Sequence, residues 1–253
     1  MPAGQDPSPV AKNYLVLDIE TILDPELPIP EANETERLPA PPHHRVVVIG
    51  ALLLGPELEV RKLGVIGDGK DERGILEDFA NFLDERRPCL VTFNGRGFDM
   101  PVIANRCLRH GLVLRHYYSA RDVRYRFSAE GHLDLMDFLA DFGAARPSKL
   151  DIVAKLCGMP GKVGVDGKDV GPLVHAGRLQ EVKDYCLCDV VQTAAVFLRV
   201  QLLRGEMERS AYLAAMRSII DLVRTDPRVE AVGPGMHLPR LLLEESGEAP
   251  AAP

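Results

Sequence analysis

Two carboxylates, Asp18 and Glu20, stand two residues apart inside the apolar run of residues 14–22. Side chains alternate between the two faces of a strand, so both acids point to the same side. Such a pair is relieved either by solvation at a strand end or by a cation, and hard oxygen donors select Mg²⁺ or Mn²⁺. Asp99 stands where the short apolar run of residues 89–93 has ended and a helix starts, with Pro101 in its first turn. That position suits a helix N-cap, and it also lifts a carboxylate to the sheet edge beside the first strand. Tyr185 and Asp189 are four residues apart in a long helical stretch, so they share a face one turn apart. Cys186, Leu187, Val190 and Val191 surround them. The phenol and the carboxylate therefore sit at the border of the buried face and need polar partners.

The elements that must position these groups can be read from periodicity. Residues 14–22 form a strand rich in Leu, Val and Ile, suited to burial on both faces. A Pro-rich stretch, residues 24–44, excludes regular structure and reads as a long loop. Residues 45–54 and 58–66 make two β-rich runs joined at Gly55-Pro56, a hairpin signal. Residues 71–86 place Ile75, Leu76, Phe79, Phe82 and Leu83 on one helical stripe. A strand follows at 89–93, then a helix over 99–110 closed by Gly111. Residues 133–142 and 149–157 read as helical pieces, 158–171 as a Gly-rich loop, and 179–203 and 207–223 as two terminal helices. Strand, hairpin, helix, strand, helix and terminal helices imply one α/β domain with a mixed sheet over residues 14–225. Residues 1–13 are expected to be disordered, and residues 226–253 to form a weakly ordered tail.

Bulk properties narrow the function classes. With 253 residues, 46% hydrophobic and 26% charged, the chain can bury a proper core. Its polar, Pro-rich N-terminus lacks the apolar stretch of a secretory signal, so the expectation is a cytoplasmic protein with no membrane association. Five widely spaced cysteines without a CxxC pair suggest buried free thiols rather than disulfides or zinc. A net charge of −7 runs against the basic footprint of many nucleic-acid binders, but a cation-binding carboxylate cluster is itself acidic, and basic residues need line only one groove. The Gly158 to Lys162 stretch lacks the spacing of a phosphate loop, and Val163 replaces its Ser or Thr. His43, His44 and His132 read as surface or structural residues. Lys149, Lys155, Lys162 and Lys168 are candidate phosphate contacts.

In order along the chain, Leu17-Asp18-Ile19-Glu20-Thr21, Asn94-Gly95-Arg96-Gly97-Phe98-Asp99 and Tyr185-Cys186-Leu187-Cys188-Asp189 resemble the three motifs of the DEDD superfamily of 3′-5′ exonucleases, in the variant whose third motif carries Tyr. The latter two motifs, with His132-Leu133-Asp134-Leu135 between them, look most like the proofreading domain of family B DNA polymerases. The resemblance spans roughly residues 14–205 and points to stand-alone predicted exonucleases related to that domain. It implies a ribonuclease H-like α/β fold, a mixed sheet of five or six strands flanked by helices. It also implies two divalent cations, Mg²⁺ or Mn²⁺, with Asp18 bridging both, Glu20 and Asp189 completing the tighter site and Asp99 serving the looser one. Tyr185 would orient the attacking water, and Thr21, Asn94 and Phe98 would contact the terminal nucleotide, although Phe98 could equally belong to the core. The implied partner is nucleic acid, single-stranded DNA before RNA. A non-catalytic nucleic-acid-binding module is the alternative from another class, and the complete set of four acids and the tyrosine argues against it.

Overall fold

Residues 12–28, 39–164 and 167–244 are described in the computed structural model of the chain. Strand β1 (Tyr14–Leu23) is the centre of a five-stranded sheet. Strands β2 (His44–Leu54) and β3 (Val60–Val65) form the expected hairpin. Helix α1 (Glu72–Arg86) follows, capped by Asp71, whose side chain accepts the Gly74 N–H. Next come β4 (Cys89–Thr92) and α2 (Asp99–His110), the latter ended by Gly111 at φ 65°. Two short helices, α3 (Arg115–Ser119) and α4 (Arg121–Arg124), lead to β5 (His132–Asp134). Then α5 (Leu135–Leu139), α6 (Leu150–Cys157), α7 (Val170–His175), α8 (Leu179–Leu203), α9 (Arg209–Thr225) and α10 (Leu238–Leu241) complete the chain.

The strand order is β3-β2-β1-β4-β5, with β1–β2 and β2–β3 antiparallel and β1–β4 and β4–β5 parallel. The sheet is thus mixed, as expected. Alternation along β1 divides its side chains between two cores. Leu15, Leu17 and Ile19 pack with Phe79 and Leu83 of α1 and with Met100 and Ile103 of α2. Val16 belongs to the opposite core, built with Leu187, Val190 and Val191 of α8 and with α9. By the same alternation, Asp18 and Glu20 face α8. By composition α8 is long and apolar enough to cross a membrane, but 78% of its apolar window is buried inside the domain, as in the central helix of a globular core.

Three regions differ from the sequence reading. Residues 133–142 are not one helix: His132–Asp134 pair with Leu90, Val91 and Thr92 as β5 before α5 begins. Three residues are too few to show alternation, and all three are buried. The Gly-rich stretch expected over 158–171 gives way to α7, whose Val170 and Leu173 join a small core with Val48, Val182 and Cys186. Residues 226–244 are not a weakly ordered tail. Val229, Val232 and Leu241 are fully buried in the α8–α9 core, and the Tyr212 hydroxyl donates to the Leu241 carbonyl at 2.7 Å. Residues 1–11 of the segment expected to be disordered, and residues 245–253 of the expected weakly ordered tail, lie outside the described residues.

A buried ionic network fixes the end of β1. The Arg106 guanidinium donates to both Glu72 oxygens at 2.7 Å and to Asp24 Oδ2 at 2.6 Å, and the Val46 N–H donates to Glu72 Oε1 at 2.8 Å. Burial alone would push both carboxyls up. For Asp24 the Glu26 N–H and Arg106 outweigh it, for Glu72 Arg106 and His110 do, and both acids lie below their ordinary range. The network ties α1 and α2 to the segment that leaves β1, just past Asp18 and Glu20.

Candidate active site

The close approach of α8 to β1 and β2 begins with a missing side chain. Gly50 of β2 stands opposite Asp18 in the register. A Cβ there would lie 2.7 Å from Cys186 Sγ and 3.3 Å from Val190 Cγ2, so only glycine lets the helix pack at this depth. Cys186 Sγ lies 3.4 Å from the Asp18 carbonyl oxygen and 3.7 Å from Asp18 Oδ2. One ligand atom from each of Asp18, Glu20 and Cys186 lies within 4.8 Å of the others. Burial, and then the charges of Asp18 and Glu20, push the Cys186 thiol well up, so it stays protonated and the oxygens are the available donors.

Asp99 joins this cluster from the other side of β1. Phe98 is the N-cap of α2 and Asp99 its first residue, so the simple capping reading does not hold. The N–H of Ile19, which lies between Asp18 and Glu20, favours the charged form of Asp99. The turn that delivers it is tight: Asn94 has φ 68°, and its carbonyl accepts the N–H groups of Gly97 and Phe98. Asp134, at the end of β5, accepts the Asn94 N–H at 3.0 Å and the Arg96 N–H at 2.8 Å. It also caps α5 through Met136 and Asp137. Asp134 lies in the His132-Leu133-Asp134-Leu135 stretch, and no spacing in the sequence signals its part in holding this turn.

On α8, Tyr185 stands one turn before Asp189 and favours that carboxylate's charged form. Burial, Asp189 and Glu20 drive the phenol far above its ordinary 10, so it remains neutral. Asp189 is pushed up to about 6 by burial, against the opposing effects of Tyr185 and Lys162. Asp99 reaches about 7, chiefly by burial. Asp18 is driven well up by burial and then by Asp99, Glu20 and Asp189, and Glu20 by burial, Asp189 and Asp99. Four acids from β1, α2 and α8 therefore oppose one another's ionisation. Lys162 is the cation that lowers both Glu20 and Asp189. Such a set fits hard divalent cations, which would restore all four charges at neutral pH.

Beside the acids opens a cavity of about 550 Å³, lined among others by Glu20, Thr21, His44, Phe98, Lys168 and His175. Its size suits one nucleotide. Thr21 Oγ1 lies 2.9 Å from His44 Nδ1, and His44 Nε2 lies 3.0 Å from the Pro39 carbonyl. The second contact makes Nε2 the protonated nitrogen, so Nδ1 accepts the Thr21 hydroxyl. Phe98 lines the cavity, meets His44 edge-on at 4.9 Å and packs partly buried against the α1–α2 core. His44 was not expected at the site, because a histidine next to a Pro-rich loop carries no spacing signal. Asn94 is not among the cavity's lining residues; its side chain lies against Gly97 and shapes the turn. Of the four lysines considered, Lys168 lines the cavity and Lys162 acts on the acids, whereas Lys155 pairs with Asp151 at 2.8 Å.

The model of one protein family, described as a predicted 3′-5′ exonuclease related to the exonuclease domain of PolB, matches residues 37–232. The chain belongs to this family. No curated protein sequence matches it. Among solved structures, it is similar to the family B DNA polymerase from the hyperthermophilic archaeon Pyrobaculum calidifontis, at 20% identity and a TM-score of 0.54 over 90% of this chain. Exonuclease I in its product-bound structure is 16% identical over 72% of the chain, with a TM-score of 0.42. The chain spans 28% of the polymerase's length and 46% of exonuclease I's. The fold is therefore ribonuclease H-like, of the kind found in exonuclease domains.

Proposed function

We propose that the chain is a metal-dependent 3′-5′ exonuclease that releases nucleoside 5′-monophosphates from the 3′ end of single-stranded DNA, with RNA as the alternative substrate. The observation that carries the proposal is the convergence of Asp18, Glu20, Asp99 and Asp189, on three separate elements, beside a cavity sized for one nucleotide. A cavity bounded by Phe98 and α7 takes a frayed terminal nucleotide more readily than a base pair. Two Mg²⁺ or Mn²⁺ ions bound there would activate water and stabilise the leaving oxygen.

The four carboxylates would hold those ions, and the cavity would hold the terminal nucleotide, with Phe98 against its base or sugar and Thr21 at its polar edge. The Thr21 hydroxyl is committed as a donor to His44, which leaves its lone pairs to accept a hydrogen bond from a terminal hydroxyl. Tyr185 stays neutral beside Asp189, so it would orient the attacking water rather than deprotonate it. Water oxygen attacks the phosphorus, the bond to the 3′ oxygen of the preceding nucleotide breaks, and that oxygen leaves as a hydroxyl.

The test is degradation of 5′-labelled single-stranded DNA and RNA with Mn²⁺ or with EDTA. A ladder shortening one nucleotide at a time from the 3′ end, present with Mn²⁺ and absent with EDTA, is expected. Shortening from the 5′ end, or cleavage indifferent to EDTA, would overturn the proposal.

A further inference from the structure

The segment of residues 115–127 reads Arg-His-Tyr-Tyr-Ser-Ala-Arg-Asp-Val-Arg-Tyr-Arg-Phe. It concentrates four arginines, three tyrosines and a phenylalanine around a single acid, in a chain whose net charge is −7. One side of this segment is anchored in the core through Tyr117 and Val123. The other side presents rings to solvent: Tyr118 is 54% exposed, Tyr125 52% and Phe127 59%. Scattered exposed aromatics are ordinary on protein surfaces. These are contiguous instead. Tyr125 meets Phe127 at 5.8 Å between ring centroids, Phe127 meets Phe142 at 4.8 Å, and the Arg124 guanidinium lies 4.9 Å from the Tyr118 ring.

Arg126 is committed to Asp137 through two hydrogen bonds of 2.8 and 2.7 Å. Arg115 and Arg121 are exposed, and no carboxylate pairs with either among the described residues. The segment is also latched to the candidate active site. Arg96, three residues before Asp99, donates to the carbonyls of Val123 at 3.0 Å and of Arg124 and Tyr125 at 3.4 Å, and to that of His132 at 2.8 Å. Gly131 allows this close packing, because a Cβ there would lie 2.4 Å from the Val123 nitrogen. The turn that delivers an acid to the site and the ring-bearing segment are therefore joined through Arg96, which bonds both the segment and the first residue of β5.

We propose that residues 115–127 guide the single-stranded substrate upstream of the cleaved linkage, with Tyr125 and Phe127 stacking on bases and Arg115 and Arg121 contacting phosphates. This rests on the exonuclease reading of the acid cluster. An acidic protein repels a polyanion everywhere except over local positive patches, and this patch adjoins the site. Rings beside guanidinium groups recognise unpaired bases of any sequence, because every base has a π face.

The test measures fluorescence anisotropy of a labelled dT dodecamer and its duplex form in EDTA, together with Mn²⁺-dependent cleavage of a dT dinucleotide too short to reach the segment. Tyr125→Ala is expected to weaken dodecamer binding roughly 5- to 100-fold, the range of one lost base stack, whereas Tyr125→Phe leaves it near wild type. Arg121→Glu should lower the slope of log affinity against log salt by about 0.7 or more. Dinucleotide cleavage and thermal melting should stay unchanged in all three variants. Dodecamer affinity unchanged in both Tyr125→Ala and Arg121→Glu would overturn the proposal and leave the ring cluster as a surface for a protein partner. Should the wild type neither bind nor cleave any of these strands, the exonuclease reading itself falls, a result distinct from the first.

Discussion

The acid cluster makes the metal-free protein a pH-dependent one, and Asp99→Asn isolates the effect. Held at about 7 against an ordinary 3.8, the Asp99 carboxyl binds its proton more tightly in the folded chain than in the unfolded one. Its contribution to stability is therefore fully present below about pH 4 and is lost as pH rises through 7. Two N–H groups, its own and that of Ile19, already favour the charged form, so the upward shift is the net of a larger burial cost. The difference corresponds to about 4 kcal/mol at pH 8. Asparagine keeps the shape and the acceptor for Ile19 while removing the charge, and should recover most of that loss. For a domain of this size that is a melting temperature higher by about 10 °C.

Thermal melts in EDTA at pH 4 and pH 8 measure it. Wild type and Asp99→Asn should melt together at pH 4 and diverge at pH 8, with the variant the more stable. Saturating Mn²⁺ should then narrow the gap, since an ion bound at 100 times its dissociation constant stabilises the wild type by about 2.7 kcal/mol and the variant by less. A gap of equal size at both pH values, or a variant less stable at pH 8, would refute the electrostatic account of the cluster.

Three further outcomes follow from other contacts. Tyr185→Phe should slow single-turnover cleavage by about 10- to 10³-fold while the Mn²⁺ concentration for half-maximal rate stays put, because the role proposed for the phenol is to orient water rather than to hold metal; a large shift in that midpoint would make it part of the metal site. Arg106→Met removes the only buried cation from Asp24 and Glu72 among the described residues, leaving them the more exposed Arg109 and His110, and should cost about 3–5 kcal/mol in urea unfolding at pH 7. Both acids are depressed in the wild type, so their contribution is present above the ordinary carboxylate range and is lost as pH falls through their folded values, and the gap between variant and wild type should narrow at pH 3. Gly50→Ala should destabilise the fold by about 1–3 kcal/mol and impair cleavage by displacing α8, with Cys186→Ala in the same chain restoring much of both, because Cys186 Sγ is the nearest obstacle.

The features legible in the sequence are those with a period or a fixed spacing. Asp18 and Glu20 could be assigned to one face because a strand alternates, and Tyr185 with Asp189 because a helix returns every fourth residue. The sheet's centre, its hairpin and α8 follow from long apolar patterns. What stayed hidden depends on pairings between distant segments. Strand β5 has three residues and no pattern of its own; only the register with Leu90, Val91 and Thr92 makes it a strand. Gly50 is an unremarkable residue in an apolar run until Cys186 is found against it. His44 joins the cavity because the long excursion after β1 returns it opposite Leu23 in β2, within reach of Thr21. The buried residues 229–241 look like a tail because their apolar side chains are separated by Gly, Pro and Arg, which conceals that Val229, Val232 and Leu241 all enter one core.

The charge distribution resolves the conflict between an acidic chain and an anionic partner. Carboxylates at the centre are the part of the surface a nucleic acid backbone should avoid, and without cations they repel it as well as each other. Divalent ions bound there would reverse the local sign, so on the proposed function affinity for metal and affinity for substrate would be coupled by electrostatics alone. The protein's own cations sit around the acids rather than among them: Lys162 close enough to act on Glu20 and Asp189, Lys168 in the cavity wall, and Arg115 and Arg121 on the segment latched by Arg96. On the proposed function, basic groups at the rim would attract the strand in any condition, whereas the reacting linkage would settle over the acids only with metal bound. Net charge therefore says little about the partner of such a protein; the placement of each sign around the cavity says more.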